Sequence, residues 1–445
     1  MKVKFSILFV LLLSMVLLAG CDDGDSGDDN GDTDDPTDSD SSTDGQSIEI
    51  FSWWTSGGEA EALQALIDAF NDEYPEVDVV NVSAILGHGQ DAREELANRM
   101  AANDPPDTFQ LGPRDFQNWV EYNGDVTDNR LEPLDSLFAT EGWAADYPAG
   151  VLEVLKYNDL YYAVPLNMHR QNTLLYNMDL VPTPPTTMDE FLTLMADLNT
   201  AGTVPVAVSA TGGWTLEIIF FSMMAGTAGA EYHRDFFTGA LDLTDAANLE
   251  GLNNTIANYN TLMSYANADA GAIGWDQAAD MLMAGTAAMY IHGDWAKGYY
   301  VSNSWIPGTD FDVMAVPGSE NEFIYNVDTF ALCNGAANRE NAMNFLRVIG
   351  GATAQEAFNK VKGSTPVHPD VDISTWDSAA TSTFNDYESA TILHNVEIHQ
   401  FSVPDATVES GAVGLADKLL ELYQGTITDA ELVTWITTNY VVATQ

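Results

Sequence analysis

The apolar positions of this chain alternate between two spacings. Ile48 and Ile50 flank Glu49, a period of two that predicts a strand, and the strand runs out at Trp53-Trp54. Leu63, Leu66, Ile67, Phe70 and Tyr74 then fall at i, i+3, i+4, i+7 and i+11. That spacing predicts a helix, opened by the turn Thr55-Ser56-Gly57-Gly58. Val77, Val79, Val80 and Val82 give a second strand, and Gly87-His88-Gly89 leads into a helix over 91–100. Asp104-Pro105-Pro106-Asp107 turns the chain into a short strand through Phe109 and Leu111, followed by a helix over 116–122. Strand and helix alternating in this way indicate a parallel sheet with helices on its faces. In such sheets ligands bind where strands hand over to helices.

The pattern continues to the end of the chain. Strands are expected over 161–166, 204–208, 286–295, 312–316 and 323–332. Helices are expected over 188–198, from Gly274-Trp275 onward, over 341–349 and within 410–440, and 361–364 reads as a loop after a helix. No internal repeat is present. About 400 residues of this kind exceed a single core, so two domains are expected.

The first 45 residues are of another kind. Lys2 and Lys4 precede an apolar run over 7–18 that is too short to span a bilayer and reads as a secretion signal. It ends in Leu18-Ala19-Gly20-Cys21, which resembles the bacterial lipobox. That resemblance makes Cys21 a lipidated N-terminus and anchors the protein to a membrane it does not cross. Residues 22–45 are Asp, Gly, Ser, Thr and Asn with a single Pro36, a composition that stays disordered and serves as a tether. A calcium loop drawn through Asp38, Asp40 and Glu49 lacks the glycine at its sixth position and the flanking helices.

Charge narrows the partners. Fifteen Lys and Arg stand against 67 Asp and Glu, for a net charge of −52. The first 45 residues hold only two lysines and 11 aspartates, so most of the excess lies in the folded part. Its field repels phosphate, which excludes nucleic acid and anionic lipid as partners. A solvated surface suited to high salt is the simplest account. Lysine and histidine are rare here, so each one in an apolar context needs a reason. With Cys21 acylated, Cys333 has no partner for an intramolecular disulfide. Gly87, Gly89 and Ala92 fit a loose dinucleotide pattern, but no acidic residue follows at the distance that would hold a ribose. No P-loop, HExxH or GxSxG motif is present. No catalytic set, metal site or cofactor is therefore expected.

Several stretches together resemble the extracellular solute-binding proteins of ABC sugar importers. They are the lipobox with its tether, the opening that ends in Phe70-Asn71-Asp72-Glu73-Tyr74-Pro75, and Gly285-Thr286-Ala287-Ala288-Met289 with Gly293-Asp294-Trp295. The glucose or glucose/mannose-binding branch is similar at Trp53-Trp54-Thr55-Ser56-Gly57-Gly58-Glu59, Pro105 to Gln110, His169-Arg170-Gln171-Asn172, Gly293-Asp294-Trp295-Ala296, Lys362-Gly363-Ser364 and His394. The resemblance spans residues 46–440. It implies a two-lobe α/β periplasmic-binding-protein fold of type II, with the ligand in a cleft between lobes joined by a hinge. The family's topology implies 46–163 plus 314–352 for lobe one and 164–313 plus 353–445 for lobe two. It also implies a monomer in the periplasm or at the cell surface, a sugar ligand and a permease partner.

A pyranose needs aromatic plates for its CH faces and polar groups aimed at its hydroxyl edge. Trp53, Trp54 and Trp275 are the candidate plates, with core packing the competing role for each. Trp295 reads as structural, behind Asp294. Glu59 and Asp294 are candidate acceptors, and Lys362 is a candidate donor. Gln110, His169 and His394 join them through the resemblance. Relatives often carry a basic residue where this chain has Gly112, with Arg114 nearby. That gap leaves a disaccharide or another sugar open as the ligand. A glycoside hydrolase using Glu59 and Asp294 is the reading from another class.

Overall fold

A computed structural model describes residues 47–440, apart from Ser56, Val126, 84–88 and 397–413. Cys21, the tether, Asp38, Asp40, Gly87 and residues 410–413 lie outside the described residues, as do the side chains of Ala92 and Arg114. Among the described residues no helix is long and apolar enough to cross a membrane.

Three sheets organise the rest. The first orders its strands Asp78–Ser83, Ser47–Ser52, Thr108–Leu111, Thr329–Leu332, Ala163–Pro165. Its opening strands are parallel, as the alternation predicts, whereas Thr329–Leu332 runs antiparallel to both its neighbours. The second orders Phe311–Ala315, Thr173–Asn177, Ala287–His292, Val204–Ala207. A third, of Thr365–Pro366, Asn167–Arg170, Glu322–Asn326 and Ile392–Asn395, bridges them. The sheets are thus mixed rather than purely parallel, because the chain returns between lobes.

Two passages make those crossings. Ala163–Pro165, Asn167–Arg170 and Thr173–Asn177 step through the first, bridging and second sheets in turn. Phe311–Ala315, Glu322–Asn326 and Thr329–Leu332 step back. The stretch 161–166 supplies the strand Ala163–Pro165, whereas 323–332, expected as one strand, is two. The latter stretch breaks at Val327-Asp328, where the Asp328 carbonyl accepts from Leu166 N (2.9 Å).

Each lobe has its own core. Ile48, Leu63, Leu66 and Phe70 pack with Phe330, Phe345 and Phe358 in the first. Leu174, Phe191, Phe220, Met289 and Ile291 pack with Leu419 and Ile436 in the second. The helix Ala352–Lys362 contributes Phe358 to the first core. The segment 353–445, expected in lobe two, begins within this helix. Its apolar face meets the helix Gly57–Glu73, the one opened by the glycine turn.

Candidate functional site

Four side chains from separate segments meet at the crossings. The strand Ala287–His292 ends at Gly293, and Asp294 follows at the start of the helix Trp295–Ser302. One Asp294 oxygen accepts from Arg170 N (2.9 Å), and the other is bonded to His169 Nδ1. His169 Nε2 lies 3.0 Å from Asp328 Oδ2, in ion-pair geometry. Asn167 Nδ2 donates to the same Asp328 oxygen and to Ser364 Oγ, both at 3.1 Å. The imidazole is thus held at both nitrogens by carboxylates. Burial alone would lower its pKa; the Asp294 charge and the two hydrogen bonds outweigh burial and the opposing Lys362, and leave it raised. Burial pushes the Asp328 carboxyl up, but His169, Lys362 and Asn167 more than reverse that and hold it at about 2. Asp328 is ionised at any ordinary pH.

Lys362 ends its helix and is buried, with Nζ 2.6 Å from Glu59 Oε1. Glu59 lies in the first turn of the helix Gly57–Glu73, where a carboxylate also favours the helix dipole. Three backbones close up beside this pair. A Cβ on Gly58 would lie 2.8 Å from Gly298 O, one on Gly298 2.5 Å from Lys362 O, and one on Gly363 3.0 Å from Gly298 N. Both lobes therefore meet main chain to main chain next to Lys362. Gly363, at φ +90°, also lets the chain turn out of the helix into Ser364.

Trp53 and Trp54 do not play the same part. Trp54 is 1% exposed and packs on Phe358 (centroids 5.2 Å) and Phe330 (6.1 Å), with Lys362 Nζ 5.3 Å from its ring centre. It is a core residue that backs Lys362 and not an open plate. Trp53 is half-buried. Gln110 is fully buried below them. An indole N–H can only donate, so the Gln110 amide presents its oxygen to Trp53 Nε1 (3.0 Å) and Trp54 Nε1 (3.2 Å), and its NH2 to Ser52 Oγ (2.7 Å). Gln110 is spent on holding the tryptophans.

The second lobe supplies its own aromatic wall. Trp275 starts the helix Trp275–Met283 and stacks on His292 (5.6 Å, 23°). Trp295 sets its edge against His292 (4.9 Å) and against His169 (5.1 Å). Its ring lies across Gly293, where a Cβ would come within 1.9 Å. Trp214 lies against His292 (5.4 Å) and Trp295 (6.3 Å) and is 45% exposed. Burial drives His292 down to about 3, so it is neutral.

Sequence reasoning missed Asp328 and Trp214 and set Trp295 aside. The signal for Trp214 was present: strand Val204–Ala207, then Gly212-Gly213-Trp214 opening a helix, the same handover that selected Trp53. His394 is drawn elsewhere. Its ring packs on His233 (4.7 Å) and Phe237 (5.7 Å), in the second lobe's group with Glu322. Glu59, His169, Asp294 and Lys362 are brought together, with Trp54 and Gln110 as support and Trp275 on the facing wall.

The model of the bacterial extracellular solute-binding protein family matches residues 54–356. An ABC transporter extracellular-binding protein of Pyrococcus horikoshii is 31% identical over 368 residues, 81% of each chain. A xylose/arabinose-binding protein of Haloferax volcanii is 26% identical, over 84% of this chain and 81% of its own. A glucose-binding protein of Saccharolobus solfataricus is 24% identical, over 72% of this chain and 60% of its own. Among solved structures, the bacterial solute receptor AcbH, described as preferring β-D-galactopyranose, superposes with a TM-score of 0.71 at 18% identity, covering 88% of this chain and 97% of that one.

Proposed function

The chain belongs to the bacterial extracellular solute-binding protein family, and from that membership we propose that it captures a monosaccharide, glucose first, and delivers it to an ABC permease by closing its two lobes. It is a sugar-binding protein of an importer and not an enzyme. Its family works outside the cytoplasmic membrane, in the periplasm or at the cell surface. The observation that carries the monosaccharide reading is the quartet of buried His169, Asp294 and Lys362 with part-buried Asp328, flanked by indoles from both lobes. Charged groups of this kind bond sugar hydroxyls with about 1.5–3 kcal/mol each. Trp53 on one lobe and Trp214 and Trp275 on the other are the proposed plates for the ring's CH faces. A ligand that touches both lobes favours the closed state, because only there does it gain both sets of contacts.

Further parts of the reading follow from the sequence. Cys21 carries the lipid, the acidic tether lets the folded part stand off the membrane, and the protein works as a monomer in high salt. A pentose is the second reading, favoured by the similarity to the Haloferax protein. Gly112, with no basic side chain, removes one donor to a hydroxyl, and losing a donor changes preference strongly. Calorimetric titration in molar salt with glucose, mannose, galactose, xylose, arabinose and maltose tests this. Glucose is expected to bind most tightly. A preference for xylose or arabinose replaces glucose with the pentose reading, and heat only with maltose overturns the monosaccharide reading.

A further inference from the structure

A second group of buried ionisable side chains lies apart from the quartet. His233 belongs to the helix Ala230–Phe237, Glu322 opens the strand Glu322–Asn326, and His394 lies on Ile392–Asn395. Strand pairing sets Glu322 opposite Ile392 and Ile324 opposite His394, so Glu322 and His394 share one face of the ladder. One nitrogen from each imidazole and one carboxylate oxygen all lie within 4.8 Å of one another. All three residues are buried, at 0%, 0% and 1% exposure. His233 Nδ1 and Glu322 Oε1 are 2.8 Å apart. Glu322 Oε2 and His233 Nε2 are buried and have no hydrogen-bond partner among the described residues. Phe221 and Phe237 pack on His233 at 6.2 and 4.9 Å. A carboxylate in such a setting is costly unless further positive charge completes it.

We propose that His233, Glu322 and His394 form a binding site for a first-row divalent transition-metal ion, zinc foremost. Two imidazoles and a carboxylate are a donor set this ion takes. Bonds of about 2.0–2.2 Å place tetrahedral donors roughly 3.3 Å apart, so the three draw inward by side-chain rotation. The ion accepts a lone pair from each neutral imidazole and from the carboxylate. The proton shared by His233 and Glu322 moves to the other ring nitrogen or leaves to solvent. The ligands come from three segments distant in sequence. The ion therefore clamps a second-lobe helix to the bridging sheet, and it stabilises the fold because it binds the native state alone. The role is structural and separate from sugar capture. Residue spacing carries no sign of it, since the donors are never close along the chain.

The test uses the full chain, stripped with a chelator and held in molar NaCl with excess Mg2+ to occupy surface carboxylates. Zinc titration is expected to show one tight equivalent and a raised thermal midpoint. Cobalt in the same protein is expected to give the intense visible bands of a low-coordinate site. His394→Gln and the double variant His233→Gln/His394→Gln are expected to weaken zinc binding by more than the roughly 10–100-fold that loss of an outer-shell partner causes. Sugar titration of the stripped and loaded forms should agree. The proposal is overturned if zinc shows no stoichiometric uptake, if cobalt keeps its pale six-coordinate spectrum, or if the double variant retains the same equivalent, which would mean binding to surface carboxylates only. The cobalt spectrum of the unaltered chain decides the matter even where the variants fold poorly.

Discussion

On the first lobe, Trp53 and Trp54 are neighbours in sequence, and their indole N–H groups share one buried acceptor, the Gln110 amide. On the second, Trp214, Trp275 and Trp295 come from three segments and gather around His292, a neutral ring. The first wall is tied to its lobe by directed bonds; the second is assembled by ring contact. A group tied into the core through a buried hydrogen bond cannot be altered without cost to the fold. A half-exposed ring held by contact can be altered at the cost of binding alone. The two walls should therefore respond to mutation in opposite ways.

The sharpest test of that contrast is Gln110→Leu. It leaves the buried Trp54 N–H without an acceptor and frees Trp53, and each orphaned N–H costs about 1–3 kcal/mol. Urea unfolding is expected to show that loss together with weaker sugar binding. A variant as stable as the parent would mean that the first wall is held by packing, like the second.

Between the walls, the Asp328–His169 pair gives a pH signature. Asp328 is depressed from 3.8 to about 2, so its contribution is complete above about pH 4 and is lost as pH falls through about 2. The shift corresponds to a contribution on the order of 2 kcal/mol. His169 is raised, so its contribution is complete below about pH 6.5 and is lost as pH rises through its folded value. The stability gap between the parent and Asp328→Asn is expected to be widest between about pH 4 and 6.5. Denaturation curves across pH 2–9 measure it, and a gap that stays constant over that range would rule the pair out as a stabilising unit.

Trp214→Ala carries the smallest expected effect. Loss of a stacked ring is worth roughly 0.5–1.5 kcal/mol, or a fall in affinity of about 2–10-fold, with stability nearly unchanged. A fall in the thermal midpoint with affinity intact would place Trp214 in the core and erase the contrast.

Much of this architecture was legible in residue spacing. The handovers at Ile50 to Gly57 and at Ile291 to Trp295 follow from a change of period at a glycine, a local signal. What spacing hides is direction. Trp54 and Trp53 look alike in sequence, yet only pairing of Ser47–Ser52 with Thr108–Leu111 decides that Trp54 turns to Phe358. Asp328 sat inside what read as one continuous strand, because the apolar run on either side conceals the step between sheets. His394 stands in an apolar stretch, and the partner strand Glu322–Asn326 determines that its neighbours are His233 and Glu322.

The meeting of Gly58, Gly298 and Gly363 inverts the usual expectation about which residues an evolving lineage can change. Bulky tryptophans on the second wall have neighbours that can shift and solvent to turn into, so they leave room for drift and for new ligand preferences. The three glycines have none: even the smallest replacement, a methyl group, strikes a main-chain atom of the opposing segment. Variation in ligand choice is therefore open to the large side chains, while the contact that brings the two lobes together is fixed by residues with no side chain at all.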